Sequence, residues 1–122
     1  MATDIKALGR RAVEELWNKG NFALADQLIS ADYVLLDPNL PDVKGPEGIK
    51  QMISTRRQAF PDVRFQIEDQ IAEGDKLVTR FTVTGTHKND FAGIPATGKK
   101  IRVAGIPISR FVGEKVVEEW AS

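Results

Sequence analysis

Apolar residues recur every three or four positions through the first part of the chain and every second position through the last part. Ile5, Leu8, Ala12 and Leu16 fall on one face of a helix, Val13 and Trp17 widen that face, and Arg10, Arg11, Glu14 and Glu15 take the wet side. Thr3 or Asp4 can cap its start. Asn18-Lys19-Gly20 ends it, because glycine can take the left-handed conformation that closes a helix. Asn21 opens a second, shorter helix through Ile29 with Phe22, Ala25 and Leu28 inward, so the two form a helical hairpin. Tyr33 to Leu36 predicts a short strand, stopped by the prolines of Asp37-Pro38-Asn39-Leu40-Pro41-Asp42. A third helix starts at Gly45-Pro46-Glu47-Gly48, with Pro46 suited to the first helical position. Ile49, Met52, Ile53 and Phe60 mark its apolar side, and Pro61 ends it.

The period then changes to two. Val63, Phe65 and Ile67 alternate with Arg64, Gln66 and Glu68, the signature of a half-buried strand. Gly74-Asp75 reads as a hairpin turn. Leu77 to Thr86, rich in β-branched residues, predicts a long strand. His87 to Gly98 is a loop, Lys99 to Phe111 a strand with a bulge near Gly105 and Pro107, and Lys115 to Trp120 a last strand after the Gly113-Glu114 turn. This order predicts an α+β fold in which three helices lie on one face of a curved antiparallel sheet. A sheet curled over helices makes a cone, and its open end is a natural pocket.

Composition narrows the chemistry. The sequence has 122 residues, which fits a single domain spanning 1–122. Its 42% hydrophobic content supports a folded core. Seventeen basic residues balance seventeen acidic ones, so no global charge draws the chain to nucleic acid or to an anionic membrane. Cysteine is absent, which excludes disulfides, thiolate zinc sites and cysteine nucleophiles. His87 is the single histidine, and no run of residues has metal-ligand spacing. No apolar run approaches the length of a membrane span, and MATDIKALGRR lacks a signal-peptide core, so a soluble, cytoplasmic domain is expected. The glycines match no phosphate-binding loop.

The segments Arg80-Phe-Thr-Val-Thr-Gly-Thr-His87, Gly93-Ile94-Pro95-Ala96-Thr97-Gly98-Lys99 and Val117-Glu118-Glu119-Trp120 resemble, in this order and spacing, the SnoaL-like polyketide cyclases, a branch of the nuclear-transport-factor-2-like superfamily. Trp17-Asn18 before Gly20-Asn21, Ala31-Asp32-Tyr33 and Asp37-Pro38 agree with it. The resemblance implies a conical α+β barrel, a homodimer, and action on small or flat apolar molecules without metal or organic cofactor. In the cyclases an aspartate directly after the last-strand tryptophan serves as acid/base for an aldol ring closure. Here that position is Ala121, and Leu36 stands where many relatives place histidine before the Asp-Pro pair. Relatives often run on past this tryptophan, so a continuation beyond Ser122 stands beside a natural end.

Strand parity puts residues 117, 119 and 121 on one face. Glu119 is therefore the first candidate base, since a carboxylate in an apolar cone has a raised pKa. Its alternative is an ion pair with an arginine such as Arg102. His87 is a candidate donor at the cone mouth, or else a loop histidine bonded to the Gly93–Gly98 turn. Asp37 is an alternative acid, or a turn former bonded to local backbone, and Asp90 is similar and weaker. Trp17, Leu36, Met52 and Phe60 are candidate ligand contacts, as are Phe81, Phe91, Val103 and Ala121; for most of them plain core is the competing role. Arg80 falls on the outer face by parity, and Arg56-Arg57 read as a solvated charge pair. The expected function is a cofactor-free polyketide cyclase or isomerase, or an ester cyclase, acting on an apolar carbonyl compound. The alternatives are a non-catalytic module that binds a hydrophobic ligand and a purely structural dimerisation module.

Overall fold

Asp4 starts the first helix, its Oδ1 accepting the Ala7 N–H at 3.1 Å. The computed structural model describes residues 4–121, and Thr3, the other candidate cap, lies outside them. Helix α1 (Ile5–Arg11) runs on as a widened, π-helical segment (Ala12–Asn18). It closes as predicted at Gly20, where φ is +67° and the Asn21 N–H reaches back to the Glu15 carbonyl at 2.8 Å. A 3₁₀ turn (Phe22–Leu24) leads into α2 (Ala25–Leu28). The second helix stops one residue earlier than the periodicity suggests, because Ile29 is already extended and paired with the last strand.

Strand β1 (Ile29–Leu36) is thus twice the expected length. It pairs with a two-residue β2 (Val43–Lys44), which is too short to leave a sequence signal. Helix α3 (Gly45–Ala59) carries its proline in the first turn and ends before Pro61. Next come β3 (Arg64–Glu73), β4 (Lys76–Thr86), β5 (Lys100–Gly105), β6 (Ile108–Val112) and β7 (Lys115–Trp120). The expected single strand over residues 99–111 is divided at Ile106-Pro107. Its halves pair with opposite ends of β4, and the Thr79 N–H bonds the Pro107 carbonyl across the break.

Among the described residues the strands form one sheet in the order β2-β1-β7-β6-β4-β3, with β5 attached to β4. The sheet curves over the helices and does not close. The meander is antiparallel as predicted, but β1 joins β7 in parallel, which makes the sheet mixed. Tyr33, Leu16, Ile49, Ile53 and Leu77 are fully buried between helices and sheet. A smaller cluster of Ala59, Phe60 and Val63 closes one end of the cone with help from Phe65, Val83 and Phe91.

Candidate active site

The space between helices and sheet is a cavity of about 380 Å³ with a largely apolar wall, a size typical of small-molecule sites, which run from about 300 Å³ upward. Its wall takes alternate residues from the strands. Leu77, Thr79, Phe81 and Val83 face it from β4, and Tyr33 and Leu35 face it from β1. On β7 the alternation is reset. Arg110 pairs with Glu118 but Phe111 pairs with Val116, so a bulge at Val117 puts Val116, Glu119 and Ala121 inward. The inward setting of Glu119 and Ala121 agrees with parity; Val117, expected on that face, gives way to Val116.

Glu119 sits in register between Leu35 of β1 and Ser109 of β6. The Tyr33 hydroxyl donates to its Oε1 at 2.7 Å and the Ser109 hydroxyl donates to its Oε2 at 2.8 Å. No ion pair reaches it among the described residues; Arg102, the expected alternative partner, is exposed on β5. Burial pushes the Glu119 carboxyl above the ordinary glutamate range, and the two hydroxyl donors pull it partway back. Burial also drives the Tyr33 phenol far up, reinforced by the Glu119 charge, so Tyr33 stays protonated and acts as a fixed donor. The site is a carboxylate with one strong donor on each oxygen, facing an apolar space.

The structure brings Trp17, Met52, Phe60, Phe81, Phe91, Val103 and Ala121 to the cavity with Glu119 and Asp37. Trp17 tilts against Phe65 with ring centroids 5.0 Å apart, and Phe91 meets Phe60 edge-on at 5.4 Å. Val103 sits at the rim, 53% exposed. Two expected contacts are not there. Leu36 alternates with Leu35 and turns away from the cavity, as its register partner Trp120 does. His87 is buried behind Phe60, its ring 5.3 Å from the phenyl ring, and does not reach the cavity wall. Its backbone bonds Lys99 and Gly98, its Nδ1 lies 3.2 Å from the Thr97 hydroxyl, and its Nε2 has no partner among the described residues. The histidine therefore anchors the Gly93–Gly98 turn.

Asp37 reaches the wall while also serving as a turn former: its Oδ1 accepts the Asn39 N–H at 2.8 Å. Asp90 does the same for the Ala96 N–H. Arg80 points outward and bonds Asp69. The reading of Arg56-Arg57 as solvated surface is overturned. Arg57 is half-buried and donates to the Trp17 and Asn18 carbonyls at the end of the π-helical segment. Arg56 lines the cavity. Position 56 extends the apolar stripe of Ile49, Met52 and Phe60 at helical spacing, which is the signal that could have placed it. Tyr33 and Ser109 left no such signal, because their role depends on which strands meet. Among the described residues no cluster of His, Cys, Asp or Glu is arranged to hold a metal ion, and no helix is long and apolar enough to cross a membrane.

A mixed, curved sheet folded over three helices around an apolar cavity with an acid in its wall defines a cone-shaped α+β small-molecule domain. The chain belongs to the SnoaL-like polyketide cyclase family, whose pattern matches residues 7–122. It is 32% identical to a candidate polyketide cyclase from Acidithiobacillus ferrooxidans, covering 100% of this chain and 89% of that one at a TM-score of 0.86. It is 30% identical to AclR, a candidate hydroxylase from Streptomyces galilaeus, over 96% of this chain and 86% of AclR, with a TM-score of 0.82. A candidate SnoaL-like polyketide cyclase from Jannaschia sp. CCS1 shares the fold at a TM-score of 0.87 with 19% identity, covering 96% of this chain and 83% of that one. The sequence has no significant match among curated proteins.

Proposed function

We propose that the chain is a cofactor-free acid/base enzyme of the cyclase or isomerase type, acting on an apolar carbonyl compound with Glu119 as its base. The observation that carries this reading is the half-buried Glu119 carboxylate, set in the wall of an apolar cavity and bonded by Tyr33 and Ser109. Ionised Glu119 takes the proton from the carbon beside the substrate carbonyl and leaves an enolate. In an aldol closure the enolate carbon forms the new bond to a second carbonyl carbon. The alkoxide so formed recovers the proton from Glu119, which returns to its starting state. The fixed hydroxyls hold the carboxylate in one orientation throughout, and Asp37 at the wall is the second candidate acid.

The test is α-hydrogen exchange of 2-tetralone, a flat apolar ketone, in heavy water. The wild-type chain exchanges it and Glu119→Gln lowers the rate by about 100-fold or more; equal rates contradict the assignment. A second reading is favoured by Ala121, which lines the cavity at the position where the family's acid stands. On that reading the cone binds a hydrophobic ligand without turning it over. Neither the wild type nor Ala121→Asp then exchanges the probe, whereas gain of exchange in Ala121→Asp favours a degenerate enzyme pocket.

The same reading includes a homodimer formed through the outer face of the sheet. Ile71, Val78, Ile108, Trp120 and Leu36 stand opposite one another in register across five strands. Ile71 is 65% and Ile108 36% exposed, so the single chain leaves an apolar row in water. A second copy presenting the same row covers it by two-fold symmetry. The cytoplasm is the proposed location.

A further inference from the structure

The charged side chains in the cavity wall are Asp37, Arg56 and Glu119, and among the described residues Arg56 is the one cation. Helix α3 aims it there, since Met52, Arg56 and Phe60 follow each other at intervals of four residues on its inner face. Arg56 is half-buried, yet among the described residues its guanidinium makes no hydrogen bond and no ion pair. This sets it apart from its neighbour Arg57, whose guanidinium is spent on two backbone carbonyls. Asp37 shares the wall and its charge acts on Arg56, but the two form no ion pair, and Asp37 already accepts the Asn39 N–H. Burial pulls the Arg56 pKa down, partly offset by Asp37. Because a guanidinium keeps its proton in proteins, it stays charged against this penalty. A charge held at an apolar wall without a protein partner is destabilising, and an oppositely charged ligand group removes that penalty on binding.

We propose that the cavity selects flat apolar ligands bearing a carboxylate, and that Arg56 is the residue that binds the carboxylate. The guanidinium presents paired N–H donors whose fork fits the two oxygens of a carboxylate, which a ketone or ester oxygen cannot match. The apolar remainder of the ligand lies along Met52 and Phe60 on the same helix face. The proposal rests on the cavity being the ligand site and adds the chemical class that it accepts.

The experiment compares 2-naphthoate with 2-acetylnaphthalene, neutral and of nearly the same shape, by equilibrium dialysis against wild type, Arg56→Met and Arg56→Lys. Wild type binds naphthoate about tenfold or more tighter than the ketone. Arg56→Met removes about tenfold or more of the naphthoate affinity and leaves that of the ketone within about twofold, while Arg56→Lys keeps part of the naphthoate preference. Circular dichroism on both variants verifies that they fold. An unchanged naphthoate affinity in Arg56→Met, or an equal loss for both probes, overturns the assignment while ketone binding leaves the cavity reading standing. Failure of wild type to bind either probe overturns both.

Discussion

Glu119 owes its properties to burial and to two neighbours from different strands. Its place on the inner face could be read from the alternation along Lys115–Trp120, and burial in an apolar cone already argued for a raised pKa. What could not be read is that Tyr33 and Ser109 would meet its two oxygens. Tyr33 lies 86 positions away in the chain, and no local pattern links them. His87 had two readings in the sequence, a donor at the cone mouth or a loop histidine, and its bonds to Thr97, Gly98 and Lys99 fit the second. The elevated Glu119 pKa has a consequence for stability. The folded chain binds this proton more tightly than the unfolded chain, whose glutamate has the ordinary value of 4.5. The resulting stabilisation is full below pH 4.5 and is lost as pH rises through the higher folded-state value. Glu119→Gln carries no such loss. The difference in melting temperature, variant minus wild type, is therefore expected to rise with pH above 4.5, and calorimetry from pH 4 to 8 checks it.

The elements follow their patterns where contacts are local. Helix α3 and the β3–β4 hairpin have the expected turns and ends. The Trp17-Asn18-Lys19-Gly20-Asn21 segment has a physical reason that the pattern alone did not reveal. The Asn18 side chain donates to the Phe65 carbonyl at 2.9 Å and accepts the Phe65 N–H at 2.7 Å, acting as a short extra strand beside β3. Arg57 from α3 holds the carbonyls of Trp17 and Asn18. The end of the first helix is thus tied to both the sheet and the third helix, which keeps Trp17 and Phe65 in place at the cavity. Asn18→Ala removes both bonds to Phe65 and should cost about 2 kcal/mol of stability, read as a lower denaturant midpoint. A midpoint equal to that of wild type contradicts the tie. Strand β1 was underestimated because Ile29, which opens it, gains its extended form from pairing with Val116 of β7 rather than from composition.

At the scale of the whole molecule, the antiparallel pairing was legible in the sequence where a glycine turn announces the next strand, but the break at Ile106-Pro107, read as a bulge, divides one expected strand into two. The parallel junction of β1 with β7 was not legible, since it joins the first strand to the last and depends on the helices between. That junction brings Tyr33 beside Glu119 and turns a curved sheet into a cavity with an acid in its wall. It also completes the outer apolar row, for which Ile108→Lys should shift sedimentation from dimer to monomer; an unchanged dimer would place the contact elsewhere. On the proposed reaction, this assembly makes Glu119 a working base. The most direct test is the pH dependence of 2-tetralone exchange in heavy water from pH 4 to 8, corrected for the uncatalysed rate. The rate is expected to rise through an apparent pKa above 4.5 in the wild type, and that dependence should vanish in Glu119→Gln. A flat profile, a midpoint at or below 4.5, or a variant as active as wild type would contradict it.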